Sequence, residues 1–334
     1  VWRNALATLA TSPLTRAFPE AGGSSPVERR IERSPIITSI PIERTSEPPR
    51  LHVGSRVREL LAHREVLVNI ARKELKVKYT ASVLGAVWSL LNPVVFLAVF
   101  SFLVTVLGNP IPDFPVFLLS GLLAWSFFSN ALQAGSRSVI DNANLVKKIA
   151  FPREILPLAS VGVALFDFVL QSAVLLLFIL FSGHGFHLPD LLLYPLAIAA
   201  LIVFTTAITL WVSAMNVRYR DVGHLMSLAL LVWFWFTPIV YQGWLVQQKL
   251  EQVQILGLDA WVLYLLNPVA VIVIGFQRSL YAVVPSPGED PILPVVSLQW
   301  VAVVLLAVLG ISLLLLLLSW RSFFHRSGDF AEEL

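Results

Sequence analysis

From residue 83 to residue 320 the chain alternates long apolar runs with short connectors, most of them basic. Val83–Gly108, Phe114–Ser136, Leu191–Asn216, Val222–Gln242 and Leu293–Trp320 contain no Asp, Glu, Lys or Arg, and Ile155–Phe181 contains only Asp167. A helix rises about 1.5 Å per residue, so ~20 apolar residues are needed to cross ~30 Å of hydrocarbon. The pattern therefore predicts an all-α integral membrane protein with six spans.

The flanking segments follow other rules. Residues 56–79 are charged yet periodic, with Val57, Leu60, Leu61, Leu67, Val68, Ala71, Leu75 and Tyr79 on one stripe and Arg72, Lys73, Lys76 and Lys78 near its end. Residues 55–82 are therefore expected to form an amphipathic helix on the cytosolic membrane face. Residues 1–54 carry interleaved charges and no apolar period, and their prolines are frequent. They read as a retained, disordered cytosolic tail.

Within 259–283, Trp261–Leu266 and Val269–Phe276 are each too short to cross, and Asn267–Pro268 separates them. A seventh span would place Arg321 and Arg326 outside. A re-entrant helix pair on the outer face between spans 5 and 6 keeps the polarity that the connectors imply. Arg137, Lys147, Lys148, Arg153, Arg218, Arg220, Arg321 and Arg326 fall on one side, which the excess of positive charge marks as cytoplasmic. The expected organisation is a six-span domain over 83–322 and a cytosolic tail over 323–334, multi-pass in the cytoplasmic membrane with both termini inside.

Composition agrees with lipid as the solvent. Hydrophobic residues are 57% and charged residues 13% of the 334 positions, against ~45–50% and ~25% in soluble domains. The absence of Cys removes thiolate chemistry. A net charge of +3, carried beside apolar spans, suits anionic membrane lipids rather than nucleic acid. No G-x-x-x-x-G-K-[ST], H-E-x-x-H or G-x-S-x-G occurs, and no catalytic or metal-binding residue is assigned. His184 and His187 have a ligand-like spacing, but no further donor arrangement completes a site.

Asp167 is the one ionisable residue deep within a span; a carboxylate there costs ~2.5–3.5 kcal/mol unless it faces protein or water. Gln171, one turn further on, is placed to share its hydrogen bonds. Trp88, Phe96, Phe100 and Phe102 crowd the first span, and Trp233, Phe234, Trp235 and Phe236 the fifth. Sugar stacking and lipid-facing packing both accommodate such aromatics. The connector IDNANLVKKIAFPREILP at 140–157 is charged and proline-bearing, and Lys147, Lys148, Arg153 and Glu154 offer ionic contacts to a cytosolic partner.

Five blocks, in order, resemble the permease subunits of ABC-type polysaccharide exporters, the O-antigen and teichoic-acid export class. They are ARKELKVKYTASVLGAVWSLLNPV at 71–94, NANLVKKIAFPREILPLA at 142–159, NVRYRDVGHL at 216–225, TPIVY at 237–241 and NPVAVIVIGFQRSLY at 267–281. The resemblance covers about residues 55–322. It implies a homodimer working with two copies of a separate ATP-binding cassette subunit, which binds ATP and Mg while this chain holds no cofactor, and a lipid-linked glycan as cargo. It further implies ATPase-coupling contacts at Asn144, Leu145, Lys147, Lys148, Phe151, Pro152, Arg153, Glu154, Arg218, Arg220 and Asp221. A substrate path would include Trp88, Phe96, Phe100, Trp233, Trp235, Phe236 and Asp167, with a gate at Asn267, Pro268 and Arg278. A drug or simple-lipid efflux permease of the same superfamily is the alternative. A membrane glycosyltransferase or acyltransferase is disfavoured, because no D-x-D or comparable carboxylate pair lies on the cytosolic loops.

Overall fold

A computed structural model describes residues 53–80, 85–108, 111–255, 257–281 and 290–334. The expected tail thus lies outside the described residues but for its last two positions. Helices make up most of the described chain: α1 Val53–Ala62, α2 Arg64–Thr80, α3 Trp88–Leu107, α4 Phe114–Asp141, α5 Ala143–Lys148, α6 Ile155–Ser182, α7 Leu188–Leu191, α8 Leu193–Arg218, α9 Val222–Trp235, α10 Gly243–Leu250, α11 Ala260–Tyr264, α12 Pro268–Leu280, α13 Leu298–Ser327 and α14 Phe330–Glu333. A two-residue antiparallel pair, β1 Gln254–Ile255 with β2 Leu258–Asp259, is a minor departure from the all-α expectation.

Among the described residues, five helical stretches are long and apolar enough to cross a membrane: Trp88–Leu107, Phe114–Asp141, Ile155–Ser182, Leu188–Arg218 and Leu298–Ser327. The fifth predicted span is shorter than expected. Its helix, α9, has 14 residues and stops at Trp235. The cause lies shortly after it: Pro238 has no N–H to donate and biases Thr237 away from helical geometry. The freed backbone is caught locally, with the Pro238 carbonyl accepting from Gln277 Nε2 at 2.8 Å and Thr237 Oγ1 donating to the Trp233 carbonyl at 2.9 Å.

The 259–283 segment breaks where its sequence suggests. α11 ends at Tyr264, and α12 begins with Pro268 behind Asn267, whose side-chain oxygen accepts from the Val269 and Ala270 amides. α12 is buried along most of its length, from Val269 to Leu280. It packs against α4, α8 and α13.

The main core is built on α4, whose residues from Phe114 to Val139 are largely buried between α6, α8 and α12. By contrast, no residue of α3 is buried, and it leans on α4 and α6 along a narrow seam. α9 likewise exposes Leu225, Leu228, Leu231, Val232 and Trp235.

A second core gathers Ile70, Val146, Ile155, Leu156, Val217, Phe323 and Phe330. It joins α2, the α4–α6 connector, the end of α8 and the chain's C-terminal residues at one end of the bundle. The expected C-terminal tail is folded there, with Phe323 and Phe330 fully buried edge to face, ring centroids 5.2 Å apart.

The helix expected over 55–82 is two helices, α1 and α2, and its apolar stripe is covered only in part. Val68 is exposed, as are Val57 and Leu61 on α1, while Leu67, Ala71, Leu75 and Tyr79 turn inward together with Val66, Ile70 and Glu74. The inward face follows α6: Ser160 Oγ lies 3.5 Å from Glu74 Oε2, and Lys78 and Tyr79 reach Asp167. α2 therefore runs alongside the first half of α6 in the same direction.

α4 and α8 approach closely where Gly135 faces Thr209. A Cβ added to Gly135 would overlap Thr209 Cγ2, whereas Gly162 has nothing within 4 Å. Gly135→Ala is expected to destabilise the purified protein by about 1–3 kcal/mol, the usual range for overpacking. Gly162→Ala should leave the thermal midpoint unchanged or slightly raised.

Candidate functional site

Three groups of predicted residues occupy three places along the bundle. At the end formed by the second core, α5 exposes Asn144, Lys147 and Lys148, while Leu145 is half-buried and Val146 buried. The periodicity of this short helix thus holds it by its apolar side and leaves both ammonium groups outward. Arg218, Arg220 and Asp221 are also exposed, in the turn between α8 and α9. Asn216 sets that turn, donating from Nδ2 to the Ser136 carbonyl at 2.8 Å and accepting the Gly223 amide at 3.0 Å.

The proline-containing part of the connector behaves differently. Pro152 and Glu154 are buried, and Phe151 and Arg153 are half-buried. Glu154, expected to face a cytosolic partner, is fully buried and bound within the chain. Arg56 Nε and Nη2 each donate to its carboxylate at 3.0 Å, and Trp320 Nε1 lies 3.3 Å from Oε1. The two-pronged guanidinium bond ties α1 to the start of α6, and the indole adds α13. Arg153 is the complement: Nη1 is buried without a hydrogen-bond partner among the described residues, and burial lowers its pKa, Glu154 only partly opposing this.

Midway along α6, Asp167 is 3% exposed. Lys78 Nζ approaches Oδ2 at 2.6 Å and the Tyr79 hydroxyl donates to Oδ1. Burial, then the bond to the Asp167 carboxylate, pushes the Tyr79 phenol well above its usual pKa. Gln171 is not a partner of Asp167: its Nε2 donates to the Ser89 carbonyl at 2.8 Å, tying the start of α3 to α6. Lys78, Asp167, Gln171 and Trp88 line one cavity of about 210 Å³. Trp88 and Asp167, 79 residues apart in sequence, therefore share one site.

The third group surrounds α9 and the Asn267–Pro268 break. Trp233 Nε1 donates to Asn267 Oδ1 at 2.8 Å, and Asn267 Nδ2 donates to the Phe236 carbonyl at 3.2 Å. One side chain thus caps α12 and holds the end of α9, so predicted path and gate residues meet directly. Phe236, Trp233, Asn267 and Pro268 line a broad, largely apolar groove of about 880 Å³. Phe96 stacks on Phe100 and meets Phe234 edge to face. Trp235 and Phe236 are more than half exposed. Arg278, at the far end of α12, donates from Nε to Asp190 Oδ1 at 2.9 Å, and His187 binds the other oxygen of Asp190. His184 instead sits between Asp113 and the Tyr281 carbonyl, 2.7 Å from each.

Residues 65–281 match the family model of the ABC-2 type transporter membrane domain. The chain belongs to the ABC-2 type transporter family. Over 281 residues it is 31% identical to the O-antigen export system permease protein RfbA of Myxococcus xanthus, covering 83% of this chain and 98% of that protein. A permease of the same name from Klebsiella pneumoniae is 32% identical over 186 residues, covering 55% of this chain and 72% of the relative. ABC-2 membrane subunits transport rather than catalyse, and membership implies an ATP-binding cassette partner. The matched range takes in most of α2 and ends with α12, so it includes all three groups of residues just described.

Arg56 is a residue that sequence reasoning left without a partner. A guanidinium near the N-terminus and a carboxylate 98 residues later carry no local signal of pairing. Glu154→Ala would leave Arg56, half-buried, with Glu59 as its remaining carboxylate, and losing a hydrogen-bonded charge pair costs ~1.5–3 kcal/mol. The expected results are a lowered thermal midpoint and earlier proteolytic cleavage within α1, with Lys147→Ala as the unaffected control. Glu74 gives a pH test. Burial raises its pKa, with Lys73 opposing, so the folded state holds its proton to higher pH than the unfolded chain. This contribution to stability therefore declines as pH rises above the ordinary glutamate range. Glu74→Gln should raise the thermal midpoint at pH 7 but not at pH 4.

Proposed function

We propose that this chain is the membrane-spanning subunit of an ATP-driven exporter of a lipid-linked polysaccharide across the cytoplasmic membrane. The similarity to the Myxococcus xanthus O-antigen export permease, extending over 98% of that protein, carries this reading. The proposed topology has six spans: α3, α4, α6, α8, α9 with the turn that follows it, and α13. α11 and α12 dip in from the outer face and return. Lys147, Lys148, Arg218, Arg220, Arg321 and Arg326 lie on the connectors and helix ends at the second-core end of the bundle, and positive charge favours the cytosolic side. Both termini are then cytosolic, α1 lies at that interface, and α2 rises from it along α6.

In the proposed assembly two such chains pair and two cassette subunits dock on the cytosolic side, where ATP and Mg are bound; this chain needs no cofactor of its own. α5 and the Arg218–Asp221 turn are the docking points. The exposed Lys147 and Lys148 seek acidic groups on the cassette, with the half-buried Arg153 beside them. Glu154 transmits movement inward through Arg56 and Trp320 instead of meeting the partner. Movement of the cassettes shifts the spans only as far as it favours one arrangement over the other. The groove at Trp233, Phe236 and the Asn267–Pro268 break is the proposed path and gate, where aromatic faces let a glycan slide without fixed hydrogen bonds.

Depletion of the chain is expected to leave undecorated cell surfaces and an intracellular glycan pool, read by immunoblotting of fractionated cells; efflux of small drugs with a normal surface glycan would overturn the proposal. In reconstituted complexes, Lys147→Ala combined with Lys148→Ala and Arg153→Ala should cut transport-linked ATP turnover about tenfold or more, equivalent to ~1.4 kcal/mol of coupling, while assembly is retained.

A further inference from the structure

The two proposed docking points are held in place by different means. The Arg218–Asp221 turn is fixed by hydrogen bonds, through the Asn216 carboxamide to the Ser136 carbonyl and the Gly223 amide. α5 has no such hold. Among the described residues no side chain of Ala143–Lys148 makes a hydrogen bond, and Asn142 does not cap the helix with its side chain. The Asn142 carboxamide is engaged elsewhere, donating to the Ser138 carbonyl at 2.9 Å and accepting from Lys73 Nζ at 3.3 Å. α5 has six residues, too few for a helix to persist in water by itself. Its seat is therefore apolar, with Val146 buried and Leu145 half-buried in the second core.

α14 supplies part of that seat. It packs against α5 and α8, and Phe330 is fully buried in the same core as Val146, with Leu334 half-buried beside it. Apolar burial sets no direction by itself, but Phe330 is placed by directional contacts. Its ring meets Phe323 of α13 edge to face, an arrangement with a preferred geometry. Backbone bonds fix the turn between the two helices. The Asp329 amide donates to the Arg326 carbonyl at 3.1 Å, and the Asp329 carbonyl accepts from the Glu332 and Glu333 amides at 2.9 and 3.1 Å. Glu332 and Glu333 themselves are exposed, so α14 turns one apolar face inward and leaves its charges in solvent.

We infer that α14 is the brace of α5, and that Phe330 is a positioning residue holding the docking helix at a fixed angle to the end of α13. The inference goes beyond the proposed function and rests on its reading of α5 as a docking point. A push on α5 then reaches α13 through Phe330 and Phe323, as well as α6 through the connector. Trp320 of α13 also meets Glu154 before α6, so both helices receive the movement together. Without the Phe330 ring, α5 stays attached at its ends but can rock, and the partner's movement is absorbed there.

The test uses the full chain in lipid nanodiscs. The sequence has no Cys, so Asn144→Cys and Arg220→Cys each accept a single nitroxide label. In Phe330→Ala the Asn144 label is expected to lose its immobile spectral component, while the Arg220 label, on the turn held by Asn216, keeps its spectrum. Phe330→Leu, which restores an apolar side chain, should give an intermediate Asn144 spectrum and again leave Arg220 unchanged. In reconstituted complexes Phe330→Ala should cut transport-linked ATP turnover about tenfold with assembly retained, and Phe330→Leu should recover most of it. An unchanged Asn144 spectrum would overturn the inference, because α5 would then be seated by other groups. Equal loosening of both labels would overturn it too, because Phe330 would then merely fill the core. Should Phe330→Ala not fold, the two labels in Phe330→Leu decide by the same criteria. The labels are read without transport, so their failure leaves the export proposal standing, and normal surface glycan on depletion would refute that proposal without altering the spectra.

Discussion

The start of α6 and its midpoint each bury a carboxylate, and the placement of the N-terminal helices follows from the need to compensate them. Glu154 and Asp167 stand 13 residues apart, and a charge removed from water must be paired and hydrogen-bonded or the fold loses more than packing returns. Arg56 pairs with the first, joined by the Trp320 indole, and Lys78 and Tyr79 pair with the second. Together with the contact between Glu74 and Ser160, they lay α1 and α2 along α6. Arg72 and Lys76 stay exposed on the other side of α2, while its inward face is committed to the protein.

That arrangement divides the molecule into a firm part and a loosely held part. α4, α8, α12 and α13 share a dense core, with Gly135 admitting Thr209 at a distance no side chain would allow. α3 and α9 lie against it with most of their apolar surface uncovered. Elements with few internal contacts can shift without disrupting the rest, and conformational changes draw on them. The aromatic contacts of Phe96 with Phe234, and of Phe234 with Trp125, connect these two peripheral helices to α4. The proposed glycan path borders α9, one of the two helices with the least cover from that core.

Much of the fold was legible along the chain. Runs with at most one charge and of sufficient length located five long helices, because in lipid a backbone can satisfy its own polar groups only by forming complete helices or closed barrels. The break at Asn267–Pro268 was equally legible, since proline removes a donor and asparagine supplies the cap. The fifth run misled: hydropathy counts Thr237–Tyr241 as apolar, yet Pro238 inside it ends the helix early. The candidate sites were legible in part. Asp167 stood out by its cost, but its partners did not, and Gln171, chosen for lying one helical turn away, bonds to the backbone of a different helix. Glu154 looked like one charge in an exposed connector until its neighbour 98 residues upstream was in place.

What the sequence determined by itself was local and solvent-driven: which stretches must be helical, which connectors are basic, and where helices cannot continue. Hydrophobic length and proline chemistry act within a few residues of their cause and need no knowledge of the rest of the chain. Only the tertiary structure decided which charges turn inward, that the predicted path residue Trp233 meets the predicted gate residue Asn267, and that Trp88 and Asp167 line one chamber. Those outcomes depend on side chains far apart in sequence being brought within hydrogen-bonding distance of one another, and no periodicity encodes such a distance.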